Sequence, residues 1–348
     1  MRSENRPFVT VLIPCRNEER FIASCLDSVL NGDYPQDRME VLVIDGRSDD
    51  RTPWILQQYS RRHPHVRVLE NPRQITPAAL NIGLRAARGE VIARVDAHAV
   101  YPDDYLSRLV SALEETGADS VGGVIDTRPS VDTAVGRAIA AAMSHPLGVG
   151  NSHFRVGSST RRTVDHVPFF CCGKEVFDRV GNFDEELIRN QDGEFSTRLI
   201  RNGGKIVLIP DVVARYFARD SMSKLARMFF QYGYFKVLTT RKVGRVMTVR
   251  QIVPAAFILT LAMTGLASLW IGAAGMAFLG IVAAYASVVI ASGLRKARSL
   301  GMRSALVLCA TFPVMHFSYG FGSLRRAIEL LVGRGATRRS PELVPLSR

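Results

Sequence analysis

Residues Gly89–Asp104 read GEVIARVDAHAVYPDD, and this stretch decides the fold of the chain. The apolar run Val91–Val95 is interrupted only at Arg94, and its length and composition are typical of a buried strand in a parallel sheet. Alternate residues of a strand share a face, so Asp96 and His98 are expected to point the same way. These two residues follow the C-terminal end of the strand, and open α/β sheets bind ligands at the edge where such strand ends lie. A carboxylate and an imidazole there can hold a divalent cation. The alternative is an ordinary strand end with two solvated polar side chains.

Strand and helix patterns alternate on the N-terminal side of this stretch. Runs rich in β-branched and apolar residues predict strands at 8–14, 39–44 and 66–69, and helical spacing predicts helices between them. This alternation predicts βαβ units and therefore a largely parallel sheet covered by helices. Polar turns rich in carboxylates follow the first two strands, at residues 15–19 and 45–50.

Three motifs, in this order along the chain, resemble the nucleotide-binding half of a family 2 glycosyltransferase. They read VTVLIPCRNEE at 9–19, VLVIDGRSDDRT at 41–52 and NIGLRAARGEVIARVDAH at 81–98. The resemblance implies an α/β fold of the GT-A type, with a Rossmann-like mixed sheet. It also implies an enzyme that transfers a sugar from a nucleotide diphosphate sugar, with inversion at the anomeric carbon.

The resemblance also implies which residues bind the nucleotide sugar. Asp45 would accept a hydrogen bond from the base, and Glu18 would contact the nucleoside. Each has a structural alternative: Asp45 suits an Asx turn or a helix cap, and Glu18 suits a solvated carboxylate in the first turn of a helix. The full set of residues implied for the nucleotide sugar is Pro14, Arg16, Glu18, Asp45, Asn81 and Asp96.

A metal site is implied at Asp96 and His98. Asp96 holds the position of the first Asp of the family's DxD motif, and His98 replaces the usual second Asp. Imidazole suits Mn²⁺ better than Mg²⁺, so Mn²⁺ is the expected cation. Bound there, a cation would neutralise the diphosphate and stabilise the leaving group.

The catalytic base implied by the resemblance is Asp192. The family commonly carries an acidic Glu-Asp pair here, and in this chain Gln191 replaces the Glu. Direct displacement needs a carboxylate that takes the proton of the acceptor hydroxyl. The alternative role for Asp192 is the N-cap of a helix over 193–201. Tyr216 stands near a position where many relatives carry a His that meets the diphosphate or metal, so that contact is left open.

The C-terminal third of the chain predicts a membrane anchor. Residues 252–294 contain no charged residue and are about twice as long as the ~20 residues of one crossing helix. We predict crossing helices near 252–271 and 274–293, and a third apolar segment over 304–324 that either crosses or stays interfacial. The predicted domains are therefore 1-240, the GT-A domain, and 241-348, a membrane-anchoring domain with two or three transmembrane helices.

Positive charge flanks the apolar region. By the positive-inside rule both clusters are expected in the cytoplasm, with the protein in the inner (cell) membrane. A crossing third segment would place the basic residues from Arg325 onward outside, against this rule, and a re-entrant segment would avoid the conflict. The two clusters are Arg241, Lys242, Arg245 and Arg250 before the region, and Arg295, Lys296, Arg298 and Arg303 after it.

The overall composition agrees with a membrane partner. The net charge is +13, which suits nucleic acid or an anionic membrane surface. No RNA-binding motif or zinc finger appears, so nucleic acid is not an expected partner. The five cysteines are an odd number without CxxC spacing, which predicts reduced thiols in the cytosol.

The segment QYGYFK at 231–236 lies in a predicted amphipathic helix over 221–242, which would face either a membrane or a protein core. Processive synthases carry a QxxRW motif at this place, and its absence argues against processivity. The segment resembles the succinoglycan-type (ExoA-like) branch of the family. The resemblance implies transfer from a UDP-sugar, with glucose expected, to a lipid-linked saccharide. Polyprenyl phosphate or a glycolipid is the alternative acceptor, and an inactive nucleotide-sugar sensor or scaffold is the alternative function.

Overall fold

The computed structural model describes residues 6–244 and 248–333, which divide into two compact units. The first unit comprises residues up to 126 together with 152–217, and the second comprises 127–151 and the residues from 218 onward. The predicted division into 1-240 and 241-348 concerns catalysis and membrane anchoring and stays a prediction. Arg245 of the predicted basic cluster lies outside the described residues.

The first unit is built on one mixed sheet of nine strands. The spatial order is β3-β2-β1-β4-β8-β6-β9-β5, and β7 pairs with β9. The strands are β1 (Val9–Cys15), β2 (Met39–Asp45), β3 (Val66–Glu70), β4 (Val91–Arg94), β5 (Ala99–Val100), β6 (Ser120–Arg128), β7 (Arg162–Thr163), β8 (Phe170–Gly173) and β9 (Ile206–Phe217).

The four N-terminal strands are parallel, as the alternating pattern predicted. β1 pairs with β2 and β4, and β2 pairs with β3, so their carboxyl ends share one edge of the sheet. Among the other strands, β8 pairs with β4 and β6, and β9 pairs with β5 and β7. These four pairings are antiparallel. The predicted α/β mixed sheet is confirmed.

Thirteen α-helices connect or follow these strands in the described part of the chain. Pro53 and Pro77 stand in the first turns of α2 and α3, where the missing N–H costs no helical hydrogen bond. The helices are α1 (Ile22–Leu30), α2 (Thr52–Arg62), α3 (Thr76–Ala86), α4 (Tyr105–Thr116), α5 (Ala134–Met143), α6 (Pro146–Val149), α7 (His153–Val156), α8 (Glu175–Val180), α9 (Gln191–Arg201), α10 (Met222–Val243), α11 (Val253–Ala267), α12 (Gly272–Leu300) and α13 (Met302–Leu331).

A cluster of four phenylalanines anchors α8 and α9 to the sheet. Phe195 of α9 lies 5.0 Å from Phe177 of α8 and 4.9 Å from Phe183, measured between ring centroids, and Phe170 of β8 stacks on them. All four rings are buried. Buried aromatic pairs are among the strongest contributors to core packing. The start of α9, which carries Asp192, is therefore anchored to the sheet by this apolar cluster.

The second unit is helical, and α10 packs along α13. Gly233 and Gly322 make this contact possible. A Cβ atom on Gly233 would lie 1.9 Å from the carbonyl oxygen of Tyr319, and one on Gly322 would lie 2.1 Å from that of Phe230. Tyr234 also donates a hydrogen bond to Glu329 Oε2 at 2.6 Å. The apolar face of α10 thus packs on protein, which corresponds to the core alternative for the predicted amphipathic helix.

Two helices of the second unit are long and apolar enough to cross a membrane, and one of them, α12, contains the predicted crossing helix 274–293. They are α12 and α13, of 29 and 30 residues, among the described residues. The predicted helix at 252–271 is α11, of only 15 residues, and is too short for this criterion. The predicted third segment, 304–324, belongs to a helix long enough to cross.

His316 of α13 is part of the packing of the second unit. Its Nδ1 atom lies 2.8 Å from the hydroxyl of Tyr285, and its Nε2 atom lies 2.8 Å from the carbonyl oxygen of Leu147. Both ring nitrogens therefore have protein partners. This arrangement corresponds to core packing rather than contact with a lipid phosphate.

Candidate functional site

The loops after β1 and β2 are tied to each other. The Asn17 N–H donates to Ser48 Oγ at 2.8 Å, and the Asp49 N–H donates to Asn17 Oδ1 at 3.0 Å. Asn17 and Arg47 both have a positive φ, near 55° and 53°. Non-glycine residues rarely adopt this conformation, and such strain is concentrated at functional sites.

Asp45 ends β2 and closes the turn that follows it. Its Oδ1 accepts the Ser48 hydroxyl at 2.5 Å and its Oδ2 accepts the Ser48 N–H at 3.1 Å. The N–H that Asp45 accepts lies three residues on, not two as in an Asx turn, and the next helix is capped at Arg51, so Asp45 closes a local turn but forms neither structural alternative as predicted. Asp45 also faces Cys15 across the β1–β2 register, so it lies at the carboxyl edge of the sheet. The predicted contact with the base stays a prediction.

Pro14 and Arg16 flank this edge. Pro14 is half-buried and pairs with Ile44 in the sheet register. Arg16 is also half-buried, and its Nε atom is buried with no hydrogen-bond partner among the described residues. A Cβ atom on Gly46 would lie 3.3 Å from Arg16 Cβ, so the two loops are in close contact. An unsatisfied buried donor suits an anionic or carbonyl ligand.

Glu18 and His98 form a buried pair, although the sequence assigned them to different ligands. Glu18 Oε1 lies 3.0 Å from His98 Nδ1, and the side chains are 7% and 17% exposed. A histidine that binds a metal is usually oriented by a carboxylate on its other ring nitrogen. Glu18 is thus not the solvated carboxylate of the structural alternative.

The two cysteines nearest these carboxylates are protonated at neutral pH. Burial, followed by the charges of Asp96 and Glu18, raises the pKa of the Cys25 thiol far above its usual value. Burial, followed by Asp45 and Glu18, does the same for Cys15. No disulfide joins the five cysteines, all of which lie among the described residues, and their reduced state stays a prediction.

Arg94 joins Asp96 to Asp192. Its Nη2 atom donates to Asp96 Oδ1 at 3.0 Å, and its Nη1 atom lies 3.6 Å from Asp192 Oδ2. The guanidinium is 6% exposed, against 19% and 23% for the two carboxylates. Burial alone would lower the pKa of Arg94, but the charges of Asp96 and Asp192 raise it overall. The predicted donor-site carboxylate and the predicted base thus share one cation.

Asp192 is the second residue of α9, not its N-cap. The helix begins at Gln191, and the N-cap is Asn190, with a positive φ of 65°. Asp192 Oδ1 accepts the N–H of Gly193 at 2.8 Å, and its Oδ2 lies 3.6 Å from His166 Nε2. The N-cap alternative is therefore wrong. The carboxylate is held between Arg94, His166 and the helix backbone.

Asn81 holds the loop that leads to α9. Its Nδ2 donates to the Phe183 carbonyl at 2.9 Å and to Glu185 Oε1 at 2.8 Å, while its Oδ1 accepts the Phe183 N–H at 3.0 Å. Arg73 pairs with the other oxygen of Glu185. These bonds give Asn81 a structural task, and its predicted contact with the nucleotide sugar stays a prediction.

Tyr216 lies beside His98, where the resemblance left a contact open. Its ring packs edge-on against the imidazole at 5.1 Å between centroids. The guanidinium of Arg155 lies over the Tyr216 ring at 5.3 Å, and Arg155 Nη1 is buried with no hydrogen-bond partner among the described residues. An arginine that stacks on an aromatic ring keeps its N–H groups available for an anion.

The predicted metal ligands are one carboxylate, Asp96, and one imidazole, His98. Among residues 6–244 and 248–333, no group of three or more His, Cys, Asp or Glu side chains could hold a metal. Asp96 Oδ2 makes no hydrogen bond to a described residue, and His98 is oriented by Glu18. A carboxylate and an imidazole fit a cation that takes its remaining ligands from a diphosphate and water.

The sequence missed two residues of this site. Arg94 carried a signal, because a charged residue inside an otherwise apolar strand must be paired when it is buried. His166 carried none, since it lies in an irregular segment and reaches Asp192 only through the fold.

Comparisons with known proteins bear on the family and the fold. Residues 10–180 match the profile of the family described as Glycosyl transferase family 2. The "Succinoglycan biosynthesis protein ExoA" of Rhizobium meliloti is 31% identical over 248 residues, covering 71% of this chain and 74% of that protein.

A second relative comes from Methanococcus voltae. It is named dolichyl N-acetyl-alpha-D-glucosaminyl phosphate 3-beta-D-2,3-diacetamido-2,3-dideoxy-beta-D-glucuronosyltransferase. It is 29% identical over 244 residues, which cover 68% of this chain and 74% of that protein.

The fold is that of a solved mannosyltransferase. The structure of PcManGT from Pyrobaculum calidifontis, in complex with GDP-Man and Mn²⁺, superposes with a TM-score of 0.58 at 23% identity. The match covers 93% of this chain and 88% of that one. The predicted GT-A fold is confirmed by this likeness together with the mixed sheet.

Proposed function

The chain belongs to glycosyl transferase family 2 and is a glycosyltransferase, and from that premise we propose an inverting, non-processive enzyme of exopolysaccharide or cell-surface glycan biosynthesis. The proposed donor is a UDP-sugar, with glucose as the expected sugar. The proposed acceptor is a saccharide carried on a lipid. Names of relatives that refer to succinoglycan and to a dolichyl phosphate support this acceptor class.

One observation carries the proposal. Asp192 and Asp96 flank Arg94 at the edge of the sheet where β1, β2 and β4 end. Ligands of open α/β sheets bind at this edge. A base and a donor-binding carboxylate on opposite sides of one guanidinium suit a reaction in which acceptor and donor meet between them.

The proposed chemistry assigns one task to each group. Asp192 takes the proton of the acceptor hydroxyl as that oxygen attacks the anomeric carbon, and the bond to the diphosphate breaks on the opposite face. Asp96 and His98 would hold a divalent cation, with Mn²⁺ expected, and Glu18 would orient His98. Bound there, the cation supplies positive charge to the leaving diphosphate.

Arg155 is the proposed second source of positive charge. It stacks on Tyr216, which packs against His98, and one of its buried N–H groups lacks a partner among the described residues. A guanidinium matches the oxygens of a phosphate through paired hydrogen bonds. We assign to Arg155 the diphosphate contact that the sequence left open at Tyr216.

The proposed location is the inner (cell) membrane, with the catalytic unit in the cytoplasm. Only 6% of the most apolar stretch of α12 is buried. Trp270, just before this helix, and Met276, in its first turns, are 76% and 72% exposed. Apolar surface of this extent suits lipid. Arg295, Lys296 and Arg298 follow the apolar part of α12, and their charge favours the cytoplasmic side. A cytosolic donor and a membrane-bound acceptor would meet there.

A transfer assay tests the proposal. Membranes that contain the full chain are incubated with Mn²⁺ and a radiolabelled UDP-sugar, and label is measured in the lipid-extractable saccharide fraction. Label should appear with the wild type and not with Asp192→Asn. Label on polyprenyl phosphate or a glycolipid alone would replace the proposed acceptor. Nucleotide binding without any product would favour a sensor and overturn the proposal.

A further inference from the structure

A buried arginine in a strand needs a reason, because removing a guanidinium from water is costly. Arg94 ends β4, a central strand between β1 and β8, and its side chain is 6% exposed. An apolar residue at this position would simply extend the apolar run of the strand. Buried charges persist where carboxylates compensate them.

The compensation at Arg94 is incomplete. Nη2 is bonded to Asp96, but Nη1 reaches Asp192 only at 3.6 Å, and neither Nε nor Nη1 has a hydrogen-bond partner among the described residues. If the guanidinium had only a structural role, each of its buried N–H groups would be expected to have a hydrogen-bond acceptor. Arg94 instead places one positive charge between two partly exposed carboxylates.

Asp96 and Asp192 lie within 3.0 and 3.6 Å of the same guanidinium, so its removal would leave two like charges without the cation between them. The charged and titratable groups near Asp192 include Arg94, on the sheet side, and His166, at 3.6 Å from Oδ2. Those that face Arg94 are Asp96, Asp192 and Tyr101. Arg94 is the permanently charged member of this set, because a guanidinium stays protonated at every physiological pH.

We propose that Arg94 is a positioning residue that holds Asp192 in its ionised, base-competent form and orients it against the donor-binding Asp96. This inference rests on the proposed function. The same guanidinium couples the two carboxylates, so a change at Asp96 alters the charge around Asp192. Arg94 itself transfers no proton and forms no bond to either substrate.

The test compares Arg94→Met, which removes the charge, with Arg94→Lys, which keeps the charge but not the fork. The matched control is Arg67→Met, because Arg67 also projects from a strand onto a buried carboxylate, that of Glu40, at 3.2 Å. For each variant, kcat and the donor KM are measured across pH, with and without added guanidinium ion.

For Arg94→Met we expect kcat to fall on the order of 100-fold at neutral pH, as for a misplaced catalytic group. The acid limb of the kcat profile should move to higher pH by roughly one unit, as expected when a carboxylate loses a cationic neighbour. Added guanidinium ion should restore part of the loss. The kcat and acid limb of Arg94→Lys should lie between those of Arg94→Met and the wild type. Arg67→Met should keep the acid limb of the wild type.

An unchanged acid limb in Arg94→Met, with kcat reduced and no rescue by guanidinium, would overturn the inference and leave Arg94 a structural residue. Where Arg94→Met does not fold, an acid limb of Arg94→Lys equal to that of the wild type has the same meaning. These outcomes leave the proposed function standing, because the wild type is still active.

A second measurement needs no turnover and therefore separates the two failures. The unfolding temperature of Arg94→Met should fall, because the carboxylates of Asp96 and Asp192 lose the cation that lies within reach of both. Adding Asp192→Asn to Arg94→Met should recover part of the loss. If the two substitutions simply add, the residues are not coupled and the inference fails, whatever the wild type transfers.

Discussion

The Nδ1 atom of His98 lies 3.0 Å from Oε1 of Glu18, a residue that precedes it by 80 positions. Glu18 lies in the loop after β1 and His98 follows β4, and the parallel pairing of these two strands brings them together. A carboxylate on Nδ1 fixes the orientation of an imidazole and makes its other nitrogen a better metal ligand.

If this pair serves a metal, Glu18→Gln should weaken Mn²⁺ binding about 10–100-fold, and His98→Ala should abolish Mn²⁺-dependent turnover without unfolding the chain. Binding can be followed by the electron paramagnetic resonance of free Mn²⁺. His63→Ala is the control, because His63 ends α2 and contacts Tyr59 and His65. Normal Mn²⁺ affinity in His98→Ala would remove His98 from the metal site.

Asp192→Asn should lower turnover by about 10²–10⁴ while the donor binds almost as well as before, because the substitution removes the base and keeps the shape. Initial rates and donor titrations measure the two effects separately. Asp178→Asn, at an exposed position of α8, is the matched control. Equal turnover in Asp192→Asn would leave Asp192 with only its bond to the backbone of α9.

Arg155→Gln should raise the donor KM roughly tenfold with a smaller effect on acceptor KM, because one cation near the diphosphate is lost. The same donor lacking its diphosphate, a nucleoside, should bind the variant and the wild type equally. Arg161→Gln provides the control, since Arg161 is exposed and pairs with Glu115 at 2.7 Å. A donor KM equal to that of the wild type would exclude Arg155 from the diphosphate contact.

Glu40 is a buried carboxylate of β2 with no part in the proposed chemistry. Burial would raise its pKa, but hydrogen bonds from the Arg88 backbone, Thr10 and the Arg88 side chain lower it overall. We expect Glu40→Gln to destabilise the chain by about 1–3 kcal/mol at pH 7, since buried donors lose their charged acceptor.

The pH dependence of this effect follows from the direction of the shift. A lowered pKa in the folded state contributes stability that is complete above the ordinary value of 4.5 and is lost as the pH falls through the lower folded value. The gap between wild type and Glu40→Gln in thermal unfolding should therefore shrink below about pH 4.5. Glu70→Gln, whose exposed pair with Arg47 is solvated, should show a small effect at either pH.

Gly322→Ala should destabilise the second unit by about 1–3 kcal/mol, because its new methyl group would lie 2.1 Å from the Phe230 carbonyl oxygen and force α10 and α13 apart. Thermal unfolding in detergent measures this loss. Gly280→Ala is the control, since a Cβ atom on Gly280 of α12 meets nothing within 4 Å. Unfolding of Gly322→Ala at the wild-type temperature would show that the helices adjust without cost.

Much of the fold could be read from local pattern. The strands β1, β2 and β3 were predicted to within one or two residues, because hydrophobic periodicity is a local property. The starts of α11, α12 and α13 were also predicted to within two residues, but their ends were not: α11 ends at Ala267, before the predicted 271, and α12 and α13 continue past the predicted 293 and 324. Gly301, with a positive φ, separates α12 from α13, and the apolar pattern alone did not identify it.

The sequence by itself determined the family, the mixed α/β sheet and the identity of the acidic residues at its carboxyl edge, because these depend on short motifs and on strand direction. Only the tertiary structure decided which of those residues meet. In the structure Glu18 contacts His98, and Asn81 is hydrogen-bonded to the loop before α9. Arg94 lies within reach of both Asp96 and Asp192. The physical reason is that an ion pair forms between groups brought close by sheet order and helix packing, and neither is written in the spacing of residues along the chain.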